Sequence, residues 1–402
     1  MSSQAINKSQ NWIYWICAIL LLLISQPFWT WDKVEFVSIV VPLLLLMFAF
    51  GDIQKSKFGF WAVIAWIFQL FILSFFNKST NINGILFLLI KWIGFASIFL
   101  CSASFIRNCM ECFNRIIAIL LLFAIIEHLL ICFLGISLVT PSVRSQFDSG
   151  RTFNVYLLNT YLQYDNDNFF IFRRFAAFYE EPGVVGNIMM VLLYAQRFDL
   201  RKWYNIVFLI SGILSFSLAF YIALIAYYIV FGSTKAKIAF SIVALLSVYY
   251  LYNNEYLYDV LFGRLVIENG ELAGYNRENL DFQNWFSGIR LQEYLFSGYQ
   301  PREAVPFAAS WQWAFALIGV VPSILYLIVL LMSRRKGVKR LNDLLKGLAI
   351  ITIIWIQRPF VFLYFYVLMM VLPFIFYQTD FTLTKTEELD EVLLVNNSTT
   401  ND

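Results

Sequence analysis

Long apolar runs, separated by shorter polar connections, fill most of this chain of 402 residues. A bilayer core about 30 Å thick is crossed by roughly 20 apolar residues in a helix, and several runs approach that length. The pattern therefore predicts an all-α, polytopic integral membrane protein with about 12 transmembrane helices. The apolar segments can be drawn at 12–29, 35–50, 58–76, 84–105, 115–137, 182–196, 203–215, 218–231, 238–251, 310–332, 347–356 and 360–377.

The positions of the basic residues set the expected orientation of these helices. Each of the segments 203–232 and 347–378 is long enough for one tilted helix or for two short ones. Two short helices in 203–232 place SRRKGVKR on the same side as GDIQKSK, RNCMECFNR, RFDLRKW and GSTKAK, as the positive-inside rule favours. The turn LSFSLA at 214–219 is then external, and both termini are cytoplasmic.

Two connections are much longer than the others, and both are predicted to face outward. Because long loops in compact proteins are usually functional, we expect the functional site there. The predicted regions are N-terminal membrane helices 1–5 in 1–137, a first external loop in 138–181, central helices in 182–251, a second external loop in 252–309, C-terminal helices in 310–378 and a disordered cytoplasmic tail in 379–402.

Composition supports a membrane location and argues against several other classes. The chain is 60% hydrophobic and 14% charged, with a net charge of +3, so no nucleic-acid partner is expected. The first apolar run is not followed by a small-residue cleavage site, which predicts a retained span. None of the five cysteines lies in either long loop. The pair Cys109 and Cys112 has no two further ligands at metal-binding spacing, so no metal site is predicted.

Arginine replaces lysine in the two long loops, which hold eight arginines and no lysine. A guanidinium grips phosphate or carboxylate through two parallel hydrogen bonds, which an ammonium group cannot do. The bias predicts an anion-binding site, although single arginines could instead pair with loop acids or reach lipid headgroups. Arg358, in the last external turn, is a ninth candidate. The loop arginines are Arg144, Arg151, Arg173, Arg174, Arg264, Arg277, Arg290 and Arg302.

The stretch FRRFAAFYEEPGVVGN at 172–187 sets four charges at the start of an apolar segment. Pro182 is favoured at the first position of a helix, and acids just before it are stabilised by the positive helix end. Glu180 and Glu181 are therefore expected to act at least as a charged cap. A helix from Pro182 to about Gln196 spans only about 22 Å at 1.5 Å per residue, so the charges are predicted to lie below the membrane surface.

This stretch resembles the pattern of arginine, small residue, aromatic and Glu-Pro found in the Wzy-type polymerases of bacterial O-antigen and capsule. Three further segments are similar to that family: LSFSLAFYIALI at 214–225, NRENLDFQNWFSGIRLQEYLFSGYQ at 276–300 and ASWQWAFALIGVVPSILYLIVLL at 309–331. The QRP at 357–359 also resembles a family motif. The resemblance covers roughly residues 172 to 362.

The resemblance implies a metal-independent, inverting glycosyltransferase with a GT-C-like fold and no cofactor. Such an enzyme acts at the periplasmic face of the bacterial inner membrane, in O-antigen (lipopolysaccharide) or capsule polysaccharide biosynthesis. It transfers a growing glycan from undecaprenyl diphosphate onto an incoming undecaprenyl-diphosphate-linked oligosaccharide repeat. Its implied partners are that lipid-linked substrate, the bilayer and a chain-length regulator.

The resemblance and the anion-site argument together select the candidate residues. The diphosphate leaving group needs cationic donors, and the attacking sugar hydroxyl needs an acceptor, for which Glu181 is the candidate. Tyrosines such as Tyr179 and Tyr275 could stack on sugars, although aromatic residues are expected at a membrane interface in any case. The predicted catalytic residues are Arg174, Glu181 and Arg277, and the predicted substrate-binding residues are Arg173, Glu180, Arg264, Arg290, Arg358 and Tyr299.

Two rival functions share parts of this pattern. An O-antigen ligase has the same architecture but carries a histidine in its large periplasmic loop, whereas His128, the only histidine, falls within a predicted span. A lipid-linked oligosaccharide flippase should show two related halves and charges along a central path. Both expectations favour the polymerase. Within the predicted spans, Lys91 and Glu127 are expected to pair with each other in preference to forming a proton path.

Overall fold

Helices dominate the computed structural model of the chain. It describes residues 11–48, 98–135, 140–144, 152–162, 173–232, 234–253, 267–268, 271–272, 280–288 and 364–372, with a few isolated positions between them. The described helices are α1 (Asn11–Ile24), α2 (Val34–Phe48), α3 (Ala103–Leu134), α4 (Pro182–Ala195), α5 (Trp203–Leu214), α6 (Leu218–Phe231), α7 (Thr234–Tyr252) and α8 (Leu280–Ser287). Residues 364–372 are also helical.

By length and composition, one helix in the described part of the chain could cross a membrane, at Ser104–Leu134. Four shorter apolar helices accompany it, at Trp12–Ile24, Pro182–Ala195, Trp203–Leu214 and Leu218–Ile229. The all-α class is therefore confirmed at the level of a helix-dominated fold. The number of twelve spans is not established by the residues described and stays a prediction.

Helix α3 corrects one predicted boundary. RNCMECFNR at 107–115 was expected to be a cytoplasmic connection between two spans, but α3 runs through it without a break for 32 residues, about 48 Å. The Ser102 hydroxyl caps its start by accepting the Phe105 backbone N–H at 3.0 Å. The helix ends at Gly135, whose φ of 64° closes the last turn. Its two ends therefore lie at opposite ends of the helix bundle.

The predicted break in the segment 203–232 is present. Helix α5 ends at Leu214 and α6 begins at Leu218, so the turn between them is residues 215–217. The two helices approach closely at Gly212, where an added Cβ would lie 2.2 Å from the ring of Phe220. This contact turns the chain back on itself directly after the turn.

Helix α4 packs between α5 and α6 and forms the centre of the described bundle. Every residue from Val185 to Ala195 is buried, and a helix that is apolar and buried on all sides belongs to the interior of a bundle. Aromatic rings fill its far end, where the Tyr194 ring lies 4.8 Å from that of Tyr227. The helix that the Glu-Pro motif opens is therefore a core element.

The first long loop contains a small antiparallel sheet that was not predicted. Its strands are β1 (Thr140–Arg144), β2 (Thr152–Val155) and β3 (Thr160–Leu162), in the order β1-β2-β3. Residues alternate between half-buried and buried along β2, the period of a strand with one covered face. A second pair of very short strands, β4 (Ile267–Glu268) and β5 (Glu271–Leu272), lies in the second loop.

The N-terminal helices pack against α3. Helix α1 lies along it, with Cys17 and Cys109 both buried, and all five cysteines are free thiols. A 3-10 helix at Phe28–Lys33 follows α1. The 3-10 helix, the sheet β1–β3 and the turn 215–217 all contact residues 173–181. We call the end of the bundle where they meet the sheet end.

Candidate functional site

Residues 173–181 connect the sheet to α4 and contact the turn between α5 and α6. The Arg174 guanidinium donates to the carbonyl of Phe216 at 3.4 Å. The backbone N–H of Phe175 donates to the carbonyl of Leu214 at 3.0 Å. Two segments far apart in sequence are therefore in direct contact.

The start of α4 makes a second contact with the same turn. At Gly186 an added Cβ would lie 2.5 Å from Ser217 Cβ and 3.1 Å from the Ser215 hydroxyl. Only glycine allows this approach without displacing backbone or side chain. The glycine in the motif thus brings α4 against the serine-containing turn.

Backbone strain occurs on both sides of the Arg174–Phe216 contact. Ala177 has φ of 47° and Phe216 has φ of 46°, a region that side chains other than glycine rarely adopt. Each such residue costs on the order of 1–3 kcal/mol and persists only where the surroundings require it, most often at functional sites. Ala177 is also fully buried, which explains why a small residue stands there.

The two glutamates occupy different environments. Glu181 is the N-cap residue of α4 and Pro182 is its first residue, as predicted, but the Glu181 side chain makes no capping hydrogen bond. Glu180 is 8% exposed, whereas Glu181 is half-buried. Capping through a side-chain hydrogen bond therefore does not explain Glu181.

Tyr179 is a structural residue and cannot stack on a sugar. Its ring is 1% exposed, and its hydroxyl is hydrogen-bonded to that of Ser25 at 3.1 Å. Burial raises the pKa of Tyr179 above its usual value, so the phenol stays neutral. Beside it, the Phe28 backbone N–H donates to the Phe178 carbonyl at 2.9 Å. The end of α1 and the residues after it thus hold the motif in place.

Arg173 lies over an aromatic ring of the sheet. Its guanidinium carbon is 5.5 Å from the ring centroid of Tyr161 on β3. The Tyr161 hydroxyl is hydrogen-bonded to His128 Nδ1 at 2.5 Å, and His128 lies six residues before the end of α3. The histidine predicted to be in the middle of a span therefore contacts the first long loop at the sheet end.

Glu127 binds the tip of the β2–β3 hairpin. Its carboxylate accepts the backbone N–H groups of Leu157 at 2.8 Å and Leu158 at 2.9 Å, and the side-chain amide of Asn159 at 2.7 Å. The predicted Lys91–Glu127 pair is not needed to explain this half-buried acid. Lys91 itself lies outside the described residues.

Five of the predicted site residues lie outside the part of the chain that the structure describes. Of the nine candidates, the fold brings Arg173, Arg174, Glu180 and Glu181 together in one segment. The remaining candidates, Arg264, Arg277, Arg290, Tyr299 and Arg358, lie outside the described residues, as does Tyr275.

Sequence reasoning missed several residues that build the site. Ser25, Tyr161 and His128 hold the motif through contacts between distant segments, for which no local signal exists. Asn187 stood in the motif but was given no role. It is 1% exposed, and its amide has no hydrogen-bond partner within the described part of the chain. A polar group in an apolar helix was the signal that could have identified it.

Comparison of the chain with protein families, curated proteins and solved structures finds no match.

Proposed function

We propose that this protein is a multi-pass glycan polymerase of the bacterial inner membrane with a GT-C-like architecture. It transfers a growing glycan from undecaprenyl diphosphate onto an incoming lipid-linked oligosaccharide repeat at the periplasmic face. The reaction forms a bond between a sugar hydroxyl oxygen and the anomeric carbon of the growing chain. It breaks the bond between that carbon and the diphosphate oxygen, which leaves with the electron pair. Because the hydroxyl attacks from the opposite face, the anomeric centre is inverted.

One observation carries the proposal. Two segments whose residues resemble the polymerase family, 172–187 and 214–225, meet through the Arg174–Phe216 contact and through Gly186 packed on Ser217. Segments matched only by chance would have no reason to be neighbours in space. Their contact supports a common site built from both.

The chemistry assigns roles to Arg173, Arg174 and Glu181. Arg173 and Arg174 neutralise the diphosphate as its negative charge develops, and Glu181 accepts the proton of the attacking hydroxyl. Two opposite charges about 4 Å apart interact by about 4 kcal/mol at an effective dielectric of 20, before desolvation is subtracted. Arg277 and Arg358 complete the diphosphate site from the second loop and the last external turn.

The decisive experiment compares two arginines in a host that lacks its own copy of the gene. Arg174→Ala should leave single-repeat glycans on a gel of surface polysaccharide, because loss of one transition-state donor lowers the rate on the order of 10²–10³-fold. Arg174→Lys should restore little, since lysine keeps the charge but loses the fork.

Arg201 provides the matched control. Its side chain is 91% exposed and pairs with Asp199 after α4, away from the sheet end. Arg201→Ala should therefore give a full ladder at normal expression. A full ladder from Arg174→Ala, with the protein present at the normal level, would refute the proposed role.

The position of His128 keeps an O-antigen ligase as a second candidate. The absence of a histidine from the loops argued against it, but His128 contacts Tyr161 of the first loop and lies near Arg173. The two functions differ in product: a defective polymerase leaves single repeats attached to the lipid A core, whereas a defective ligase leaves full chains on undecaprenyl diphosphate and none on the core. The Arg174→Ala gel distinguishes them.

A further inference from the structure

Three side chains from separate segments form a continuous stack at the sheet end. His128 from α3 is hydrogen-bonded to Tyr161 from β3 at 2.5 Å, and their rings are stacked with centroids 6.1 Å apart. The guanidinium of Arg173 lies on the Tyr161 ring, 5.5 Å from its centroid. Phe175 closes the other side of the imidazole, edge-on at 5.3 Å.

We propose that His128 is a positioning residue for anion binding, which acts through Tyr161 to hold the Arg173 guanidinium ready for a diphosphate group. The inference rests on the proposed function for the identity of the natural ligand. The anion chemistry itself is testable without that function, because inorganic pyrophosphate carries the same charged group.

The geometry favours this role over a packing role alone. A guanidinium that lies on an aromatic ring keeps the N–H donors at its edge available for a phosphate oxygen. An arginine side chain otherwise loses considerable rotamer entropy when it binds, and a preorganised one loses less. The Tyr161 ring therefore lowers the cost of binding only if the ring itself is fixed.

Two constraints fix the ring of Tyr161. The backbone of Tyr161 pairs with Asn154 in the antiparallel ladder, and its hydroxyl binds His128, which is 1% exposed. Burial raises the pKa of the Tyr161 phenol, so it stays neutral and keeps this hydrogen bond. His128 is thus the side chain that ties the ring to the rigid helix α3.

The test measures pyrophosphate binding to the purified full-length protein in nanodiscs by isothermal titration calorimetry. Tyr161→Phe keeps the ring but removes the hydroxyl, and His128→Leu removes the partner. Each should weaken binding about 5- to 10-fold, which corresponds to a contribution of about 1 kcal/mol from a positioned cation–π contact. His128→Asn, whose amide can reach the position of Nδ1, should recover most of the affinity.

The matched control is Tyr204→Phe. The Tyr204 hydroxyl also donates to a side chain of α3, Glu111, at 2.9 Å, but near the opposite end of that helix. The Tyr204→Phe variant should therefore bind pyrophosphate with the same affinity as the unmodified protein. If Tyr161→Phe also binds pyrophosphate with unchanged affinity, the proposal is wrong. Because Tyr161→Phe removes only a hydroxyl, it still tests the proposal if His128→Leu does not fold.

A double-mutant comparison separates positioning from general structural support. If His128 acts through Arg173, His128→Leu should have no further effect on pyrophosphate affinity in an Arg173→Ala background. An additional loss there would overturn the proposal. Failure of the proposed function has a different signature, because Arg174→Ala would then give a full glycan ladder while pyrophosphate binding still depended on Tyr161 and His128.

Discussion

Replacement of Glu127 by glutamine should release the tip of the β2–β3 hairpin from α3. The carboxylate accepts three hydrogen bonds, from the N–H groups of Leu157 and Leu158 and from the Asn159 amide. Glutamine keeps one acceptor oxygen, but its NH₂ group is a donor and would face another donor. The substitution is nearly isosteric, so any effect comes from hydrogen bonding and charge.

The size of the effect follows from the exposure of the three donors. The bond to Leu157 is exposed, so water replaces its acceptor at little cost. The other two are part-buried, and a hydrogen bond to a charged group contributes about 1.5 kcal/mol or more to stability. Both of these bonds go to the same carboxylate oxygen, Oε2, whose place the glutamine oxygen can take, so each weakens from a charged to a neutral hydrogen bond, by about 1 kcal/mol. Together they give about 2 kcal/mol, which is roughly a thirtyfold change in the local opening equilibrium.

Hydrogen exchange followed by mass spectrometry measures this opening directly. Peptides that cover 152–162 should exchange about thirtyfold faster in Glu127→Gln than in the unmodified protein, by the same reasoning. Glu111→Gln is the control, because Glu111 lies on the same helix but binds Tyr204. Unchanged exchange in 152–162, or equal acceleration by Glu111→Gln, would refute the role of Glu127 as the hairpin anchor.

Two further predictions test the packing around the site. Gly186→Ala should lower the melting temperature and abolish the glycan ladder, because the new Cβ would lie 2.5 Å from Ser217 Cβ. Gly288→Ala is the control, because its Cβ would meet nothing closer than 3.6 Å, and it should change neither the melting temperature nor the ladder. Copper-phenanthroline oxidation should cross-link Cys17 to Cys109, because both thiols are buried where α1 packs on α3 and interact electrostatically. Peptide mapping that finds both thiols free, after full oxidation of an exposed control cysteine, would contradict the packing of α1 on α3.

Features with a strong local cause could be predicted from the sequence. Pro182 begins α4 because its fixed φ suits the first helical position and its missing N–H is not needed there. The turn at 215–217 interrupts an apolar run with two serines, which compete with the backbone for hydrogen bonds in helices. Both boundaries depend on a few neighbouring residues, so the sequence pattern was sufficient.

The start of α3 was predicted wrongly because charge was weighed more heavily than spacing. Arg107, Glu111 and Arg115 suggested a polar connection, yet they are spaced by four residues and so lie on one helix face. Arg115 and Glu111 indeed form an ion pair at 3.5 Å. A helix about 48 Å long exceeds a bilayer core of about 30 Å, so its charged first turns can extend beyond an apolar layer.

Contacts between distant segments could not be predicted, and they are what assembles the candidate site. Ser25 and Tyr179 are separated by 154 positions, and no property of either residue indicates the other. Their meeting depends on how the elements before and around α4 pack together, which no local pattern specifies. Arg173 and Arg174 therefore owe their position to packing between distant segments, whereas their expected anion-binding role came from the absence of lysine in both long loops.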